Sequence, residues 1–396
     1  MSATDSIVIV GAARTPMGAF LGALKDAPAP QLGARAIEAA VSRSGIPVGA
    51  IDEVVMGCVL SAGLGQAPAR QAALGGGLPD ATGCVTVNKM CGSGMKAIML
   101  AHDALRAGSA RAVVAGGMES MSRAPYLLER ARSGYRMGHG KLIDHMFFDG
   151  LEDAYDKGRL MGCFAEDCAT SHQFTRQMQD DYASASLTRA QRAIADGDFD
   201  GEIAPVTFGG GKGDRSLAAD ENPGRSRVAD IAKLKPAFRA DGSITAANSS
   251  SISDGAAALA LTTLAEAERL MLSPVARIVG HAAYAGPPSQ FPTAPIGAIE
   301  RLMERVGWRL RDVELFEINE AFAVVAMAAM RALDLPHDKV NVHGGACALG
   351  HPIGASGARI VVTLIAALQK YDLRRGVAAL CIGGGEATAM AIERIG

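Results

Sequence analysis

Residues 92–97 read Gly-Ser-Gly-Met-Lys-Ala, and residues 355–360 read Ala-Ser-Gly-Ala-Arg-Ile. Residues 112–117 read Ala-Val-Val-Ala-Gly-Gly, and residues 379–384 read Ala-Leu-Cys-Ile-Gly-Gly. Two further matches pair residues 31–38 with 295–302 and residues 44–46 with 306–308. All four matches keep the same order at offsets of about 260 to 270 residues, which predicts a duplicated structural unit.

Short apolar runs alternate with segments of helical periodicity in both copies. Strand-like runs occupy residues 7–10, 54–59, 84–87, 112–115, 314–318 and 377–382, and helical segments occupy residues 32–41, 94–105 and 320–332. This alternation predicts an α/β fold in which helices cover a largely parallel or mixed sheet.

The stretch between the copies, residues 121–247, has few strand-like runs and one clear amphipathic helix at 176–195. A segment of this length and texture predicts an inserted loop domain that shapes a binding site. Its glycine cluster, Gly-Gly-Gly-Lys-Gly at 209–213, lacks the spacing of a phosphate-binding loop.

Composition excludes several classes of protein. The 396 residues carry 39 basic and 41 acidic side chains, which argues against a nucleic-acid backbone binder. Seven cysteines without a Cys-x-x-Cys spacing argue against a disulfide framework and against a tetrahedral zinc site built from cysteines. No apolar run approaches the ~18 residues of a membrane span, and the apolar run at 7–10 leaves no room for a leader peptide. We therefore expect a cytoplasmic, soluble protein.

Cys91 and His351 are the first two candidates for chemistry. Cys91 lies between a strand-like run and a helix, where the helix dipole favours a thiolate and lowers the thiol pKa. Gly92 and Gly94 are expected to let the backbone turn sharply and to leave space beside the sulfur. His351 precedes Pro352 among glycines, which predicts an imidazole presented on a rigid turn and left uncovered. A buried structural cysteine and a packed core histidine are the alternatives.

Cys381 and Asn319 are weaker candidates when each is considered alone. Cys381 ends the run at 377–382 and precedes Gly383-Gly-Gly, whose N–H groups are free to face a developing oxyanion. Asn319 follows the run at 314–318, and its amide is suited to hold a water or a carbonyl oxygen. The structural alternatives are a strand cysteine before a turn and a helix N-cap.

The combination is more informative than any single residue. If the duplication is real, Cys91 and the loop of His351 occupy equivalent positions, and a pseudo-two-fold sheet brings Cys381 to the same face. Two thiols and an imidazole without metal spacing indicate acyl transfer from a thioester, with one thiol carrying the acyl group and the other moving a proton. A non-catalytic CoA or lipid carrier and a redox-sensing cysteine protein are the alternatives from other classes.

At these residues the sequence resembles the thiolase family, specifically its biosynthetic acetyl-CoA acetyltransferases, over essentially the whole chain. The motifs that carry the resemblance are Arg14-Thr-Pro, Asn88–Ala97, Gly116-Gly-Met-Glu-Ser-Met-Ser, Asn319-Glu-Ala-Phe-Ala, Gly350-His-Pro-Ile-Gly-Ala-Ser-Gly and Cys381-Ile-Gly-Gly-Gly. The resemblance implies two α/β halves in a five-layered α-β-α-β-α sandwich. It assigns residues 1–120 with 248–272 to the first half, 121–247 to the inserted loop domain and 273–396 to the second half. It also implies a homodimer or homotetramer.

By the same resemblance, Cys91 matches the nucleophile, His351 the base that activates it, and Cys381 the acid/base that deprotonates a second acetyl-CoA. Asn319 matches a residue that forms one oxyanion hole through a water and with His351, and the N–H groups of Cys91 and Gly383 match the other. The implied reaction condenses two acetyl-CoA to acetoacetyl-CoA and CoA, or reverses this by thiolysis. No metal or redox cofactor is implied, because the coenzyme A thioesters are substrates.

The resemblance also implies a substrate site. Ser250 matches a serine that contacts pantetheine, and Phe322 matches a residue that lines the acyl pocket. The remaining candidates are Leu151, Met161 and Ala321 for substrate and Arg225 and Arg227 for the CoA phosphates or adenine. Leu160 stands where the family usually has His, and Glu386 stands where it usually has Gly. The rival within the family is a thiolase of fatty-acid degradation that acts on longer 3-ketoacyl-CoAs.

Overall fold

The computed structural model describes residues 6–208 and 215–395, so the glycine cluster at 209–213 and the first five residues lie outside it. The strands are β1 (Ile7–Arg14), β2 (Gly18–Ala19), β3 (Glu53–Gly57), β4 (Gly83–Val87), β5 (Ala112–Ser120), β6 (Tyr126–Leu127), β7 (Ile143–Asp144), β8 (Val206–Phe208), β9 (Arg215–Leu217), β10 (Ser253–Thr263), β11 (Ala276–Ala285), β12 (Leu315–Ile318), β13 (Arg375–Ile382) and β14 (Glu386–Arg394). The helices are α1 (Ala29–Ser44), α2 (Pro68–Gly75), α3 (Ser93–Ala107), α4 (Met161–Ser171), α5 (Arg176–Ala195), α6 (Glu221–Arg225), α7 (Val228–Ile231), α8 (Leu264–Arg269), α9 (Ala294–Val306), α10 (Ala323–Leu333), α11 (Ala346–Leu349) and α12 (Ser356–Lys370).

Nine strands form a mixed sheet in the order β12-β13-β14-β11-β1-β10-β5-β3-β4, and β2 adds to it beside β10. The two ends of this order repeat one pattern. Each end begins with parallel neighbours (β4, β3 and β5 at one end, β12 and β13 at the other), and antiparallel neighbours follow (β10 and β1, β14 and β11). The halves join through a short antiparallel contact between β1 and β11. The duplication and the mixed sheet predicted from sequence are confirmed.

Alternation of side chains along the strands produces five layers. In β1, Ile7 packs in the central core with α3 and α12, whereas Val8 packs outward with α1. In β13, Leu380 faces the same central core, whereas Ala379 packs outward with α9 and α10. The order across the molecule is therefore helices, half-sheet, the α3–α12 pair, half-sheet and helices. This arrangement confirms the α-β-α-β-α prediction.

The central layer depends on two glycines at equivalent positions of the repeat. A Cβ on Gly94, in the first turn of α3, would lie 2.8 Å from the Ala358 nitrogen of α12. A Cβ on Gly357, in the first turn of α12, would lie 2.4 Å from the Met95 nitrogen of α3. Because the two helices approach each other through their backbones, neither position has room for a side chain.

We expect Gly357→Ala to destabilise the protein by about 3 kcal/mol or more, because the added methyl group meets backbone atoms that cannot turn aside. The shift in the chemical denaturation midpoint measures this effect. Gly201→Ala is the matched control, since a Cβ there would meet nothing within 4 Å. Equal midpoints for the two variants would contradict the close helix approach.

The segment at 121–247 contains α4 to α7 and two small two-stranded sheets, β6–β7 and β8–β9. Its long helix has the bounds expected from sequence, 176–195. Buried ion pairs from Arg14 to Glu202 and Asp220 fasten the segment to β1, with an Nη1–Oδ1 distance of 2.7 Å to Asp220. The domain boundaries themselves stay a prediction. None of the helices in the described ranges has the length and apolar character needed to cross a membrane.

Candidate active site

A cavity of about 480 Å³ lies between the two halves and the 121–247 segment, a volume suited to a small organic ligand. Cys91, His351, Cys381 and Gly383 all line it. So do the predicted substrate residues Leu151, Met161, Ser250, Ala321 and Phe322. The rest of the wall is largely apolar, with side chains such as Phe147, Phe148, Phe238 and Phe291.

Cys91 lies in a tight turn between β4 and α3. The left-handed residue of this turn is Met90, with φ of 47°, whereas Gly92 has an ordinary φ of −82°. A Cβ on Gly92 would lie 2.3 Å from the Ile382 side chain at the end of β13. The prediction that Gly92 makes the sharp turn and leaves space for substrate was therefore wrong. Gly92 instead allows the Cys381 strand to approach the Cys91 loop.

An equivalent serine in each half closes the two catalytic loops. The Ser93 hydroxyl donates to the Met90 carbonyl at 2.6 Å, and the Ser356 hydroxyl donates to the Pro352 carbonyl at 2.9 Å. Ser356 Oγ also lies 2.6 Å from Nδ1 of His351. Because the serine proton is engaged, this network assigns the imidazole proton to Nδ1, which donates to Ser356.

The other ring nitrogen of His351, Nε2, has no hydrogen-bond partner among residues 6–208 and 215–395. With the proton on Nδ1, Nε2 carries a lone pair, and the residue lines the cavity. Burial lowers the pKa of His351 to about 3, so the ring is neutral at neutral pH. The expectation of an uncovered imidazole was wrong, since only 6% of the residue is exposed. A neutral imidazole with a free lone pair can act as a general base.

Burial raises the pKa of the Cys91 thiol to about 11, although the N–H groups of Gly383 and Cys91 face the sulfur and oppose this rise. The expected dipole-stabilised thiolate was therefore wrong, because desolvation of the charged sulfur outweighs the nearby dipoles. The cavity is thus lined by a neutral thiol and a neutral imidazole, so a thiolate forms only when a base removes the proton.

Cys381 lies at the end of β13, and burial raises its pKa well above the ordinary range, with the nearby Cys91 adding to the rise. The adjoining Gly384 and Gly385 have φ of 94° and 85°, a turn that other residues adopt poorly. An ion pair between Lys89 and Glu386 ties this turn to the Cys91 loop. The site thus brings two protonated thiols together.

The model of the thiolase N-terminal domain matches residues 7–265, and the model of the thiolase C-terminal domain matches residues 272–394. This chain belongs to the thiolase family. It is 49% identical over 390 residues to an Arabidopsis thaliana protein named acetyl-CoA acetyltransferase 2, covering 98% of this chain and 96% of that one. It is 47% identical to the acetyl-CoA acetyltransferase of Pseudomonas aeruginosa, covering 98% of this chain and all of the relative.

Solved thiolase structures have the same fold. The Bacillus anthracis acetyl-CoA acetyltransferase superposes with a TM-score of 0.96 at 41% identity, over 98% of this chain and 99% of that chain. The Acat5 thiolase from Ascaris suum, solved in complex with coenzyme A, superposes with a TM-score of 0.93 at 41% identity, over 98% and 100% of the two chains. The thiolase fold expected from the resemblance is confirmed.

Asn319 is fully buried behind the cavity of this thiolase rather than on its wall. Its Nδ2 lies 3.4 Å from Nδ1 of His351, and its Oδ1 has no partner among the described residues. The N-cap alternative was wrong, because α10 begins at Ala323 and Phe322 precedes it as the cap. The helix starts later than predicted because the backbone before it is engaged elsewhere. The Asn319 N–H donates to the Ala379 carbonyl of β13, and the Ala321 carbonyl accepts from the Ser250 N–H beside a bridge between Phe322 and Ser249.

The structure does not bring Arg225 or Arg227 to the cavity. Arg225 pairs with Glu221 one turn earlier in α6, and Arg227 pairs with Asp230 at 2.7 Å on the surface. Neither residue lines the cavity. A role for either guanidinium near the adenine stays a prediction.

Sequence reasoning missed Glu119 as a part of the site. Its buried carboxylate accepts hydrogen bonds from the backbone N–H groups of Val59, Leu60 and Gly354 at 2.9–3.1 Å. These bonds join the first half to the His351 loop. Burial raises the Glu119 pKa to about 7 despite these bonds. The residue belongs to the Gly116–Ser122 motif, so the motif itself was the available signal.

Proposed function

We propose that this thiolase is an acetyl-CoA C-acetyltransferase, which condenses two acetyl-CoA to acetoacetyl-CoA and CoA or catalyses the reverse thiolysis. The observation that carries the proposal is the convergence of Cys91, His351 and Cys381 on one apolar cavity. Full-length relatives named acetyl-CoA acetyltransferases support the same activity.

In the first half-reaction, Nε2 of His351 takes the Cys91 thiol proton as the sulfur attacks the thioester carbonyl. The carbon–sulfur bond to CoA then breaks, and the departing CoA sulfur receives the proton from the imidazolium. Because both groups begin neutral, proton removal and attack are coupled, and no thiolate stands exposed between turnovers. The product of this step is an acetyl-Cys91 enzyme.

In the second half-reaction, Cys381 serves as the acid/base. The neutral His351 first takes the Cys381 thiol proton. The Cys381 thiolate then removes a methyl proton from a second acetyl-CoA, and the resulting carbanion attacks the acetyl-Cys91 carbonyl. The Cys91 sulfur leaves as acetoacetyl-CoA forms and receives the proton held by His351, so both thiols and the imidazole return to their neutral starting forms. We assign one oxyanion hole to the N–H groups of Cys91 and Gly383, because both face the Cys91 sulfur, and the other to His351 with Asn319. Each oxyanion hole contributes roughly 3 to 4 kcal/mol of transition-state stabilisation.

The cavity favours a short acyl group. Its volume of about 480 Å³ must hold both the pantetheine arm and the acyl chain. Phenylalanine side chains at 147, 148, 238, 291 and 322 occupy much of its wall. Little room therefore remains beyond Cys91 for a long chain, which argues for acetoacetyl-CoA over the longer substrates of degradative thiolases.

Thiolysis of 3-ketoacyl-CoAs from about C4 to C16 tests this assignment. We expect the highest kcat/KM at C4, with a decline of about tenfold or more by C8, because a longer chain clashes with the aromatic wall. An optimum at C10 or longer would overturn the biosynthetic assignment and favour the degradative alternative.

We further propose that the protein needs no metal or redox cofactor for this reaction, acts in the cytoplasm, and assembles as a homodimer or homotetramer. The first point follows from the balance of the two half-reactions, in which thiols, imidazole and thioesters account for every bond and proton. The cytoplasmic location fits the cysteines, all seven of which are free thiols. Subunit mass in solution tests the assembly.

A further inference from the structure

His102, Asp103 and His281 form a cluster outside the catalytic cavity. His102 and Asp103 lie on the central helix α3 of the first half, and His281 lies on β11 of the second half. Asp103 Oδ1 is 3.1 Å from His102 Nδ1 and 3.0 Å from His281 Nε2, and the two ring nitrogens are 3.2 Å apart. Three ligand-type atoms therefore form a nearly equilateral triangle across the junction of the halves.

The triangle has the dimensions of one face of a metal tetrahedron. Zinc bonds to imidazole nitrogen and carboxylate oxygen at about 2.0–2.1 Å, which places two ligands about 3.3–3.4 Å apart in a tetrahedral site. Edges of 3.0–3.2 Å need to lengthen by about 0.1–0.4 Å to reach that spacing. The Asp103 side chain is 57% exposed, so water has access to a fourth position.

The donor set also fits a metal. Asp103 Oδ1 lies within hydrogen-bond distance of both ring nitrogens, so metal binding requires each neutral ring to carry its proton on the opposite nitrogen and to offer the lone pair of the nitrogen in the triangle. Two imidazoles and one carboxylate suit zinc and neighbouring transition ions, and not magnesium.

We propose that His102, Asp103 and His281 form a divalent transition-metal site, with zinc as its natural class of ion, that fastens α3 of the first half to β11 of the second. The site is structural, since none of the three residues lines the catalytic cavity. A metal bridge between residues about 180 positions apart would restrict the unfolded chain and stabilise the joined halves.

Zinc titration of chelator-treated protein, followed by calorimetry, tests the site. We expect one equivalent of zinc to bind and the melting temperature to rise with zinc concentration, while magnesium at the same concentration changes neither. Asp103→Asn and His281→Gln should each weaken zinc binding by at least about tenfold. Asp103→Asn is the safer variant for folding because its side chain is largely exposed.

Cobalt distinguishes this site from the catalytic thiols. Bound cobalt should show visible bands of nitrogen and oxygen coordination and lack the intense thiolate charge-transfer band, and Asp103→Asn should remove the visible bands. His139→Gln, a substitution of an exposed histidine elsewhere, is the matched control and should bind zinc as the wild type does. A thiolate band, an absence of saturable zinc binding, or equal affinity in Asp103→Asn and His139→Gln would each overturn the proposal.

Discussion

Replacing Cys91 with serine should abolish formation of the acetyl-enzyme and lower the overall rate by at least about 10³-fold. The sulfur accepts an acyl group from a thioester at little energetic cost, because one thioester replaces another. A serine hydroxyl is far less acidic than the thiol, and the neutral His351 has a pKa of only about 3, so the base cannot activate it. Labelled acetyl-CoA followed by acid precipitation measures the acetyl group retained on the protein.

The matched control for this prediction is Cys84→Ser. Cys84 is another half-buried thiol, whose Sγ contacts the Thr82 carbonyl at 3.5 Å and which does not line the cavity. We expect this variant to bind label as the wild type does. Retention of label by the Cys91→Ser protein at the wild-type level would contradict the assignment of Cys91 as the nucleophile.

Sequence predicts the fold well where the repeat imposes it. The strings at 92–97 and 355–360 become the first turns of α3 and α12, and they cross at Gly94 and Gly357. Small residues at equivalent positions can be recognised from sequence, because the close approach of the two helices leaves no room for a larger side chain there. The long helix at 176–195 is likewise readable because its periodicity is continuous.

The protonation states of Cys91 and His351 could not be predicted from sequence in the same way. The motif around Cys91 places a thiol beside a helix, which alone predicts a lowered pKa. The rise of the Cys91 pKa to about 11 comes from burial of the thiol in the assembled fold, in which Ile382 at the end of β13 packs against the neighbouring Gly92. Likewise, the glycines around His351 do not leave it open, because the loop is covered by the segment near Ser251. Desolvation depends on the assembled fold, so a local motif cannot predict it.

Replacing Cys381 with serine should separate the two half-reactions. Cys381 lines the cavity, and burial together with the nearby Cys91 raises the pKa of its thiol. Acetylation of Cys91 needs only His351 as base, so label should be incorporated within about tenfold of the wild-type rate. Condensation requires removal of a methyl proton, which a hydroxyl cannot accept at neutral pH, so acetoacetyl-CoA formation should fall by about 10³-fold or more.

Exchange of labelled CoA with acetyl-CoA follows the first half-reaction alone, and acetoacetyl-CoA absorbance follows the complete reaction. The Cys381→Ser protein should retain the first and lose the second. Cys163→Ser is the matched control, because Cys163 is a half-buried thiol in α4 beside cavity residues without lining the cavity itself, and both readouts should survive there. Equal losses of exchange and condensation in Cys381→Ser would mean that Cys381 supports the nucleophile rather than the carbanion step. The assignment of the two thiols to separate steps would then be wrong, because Cys91 and Cys381, both with raised pKa values, would act together in the acyl-transfer step.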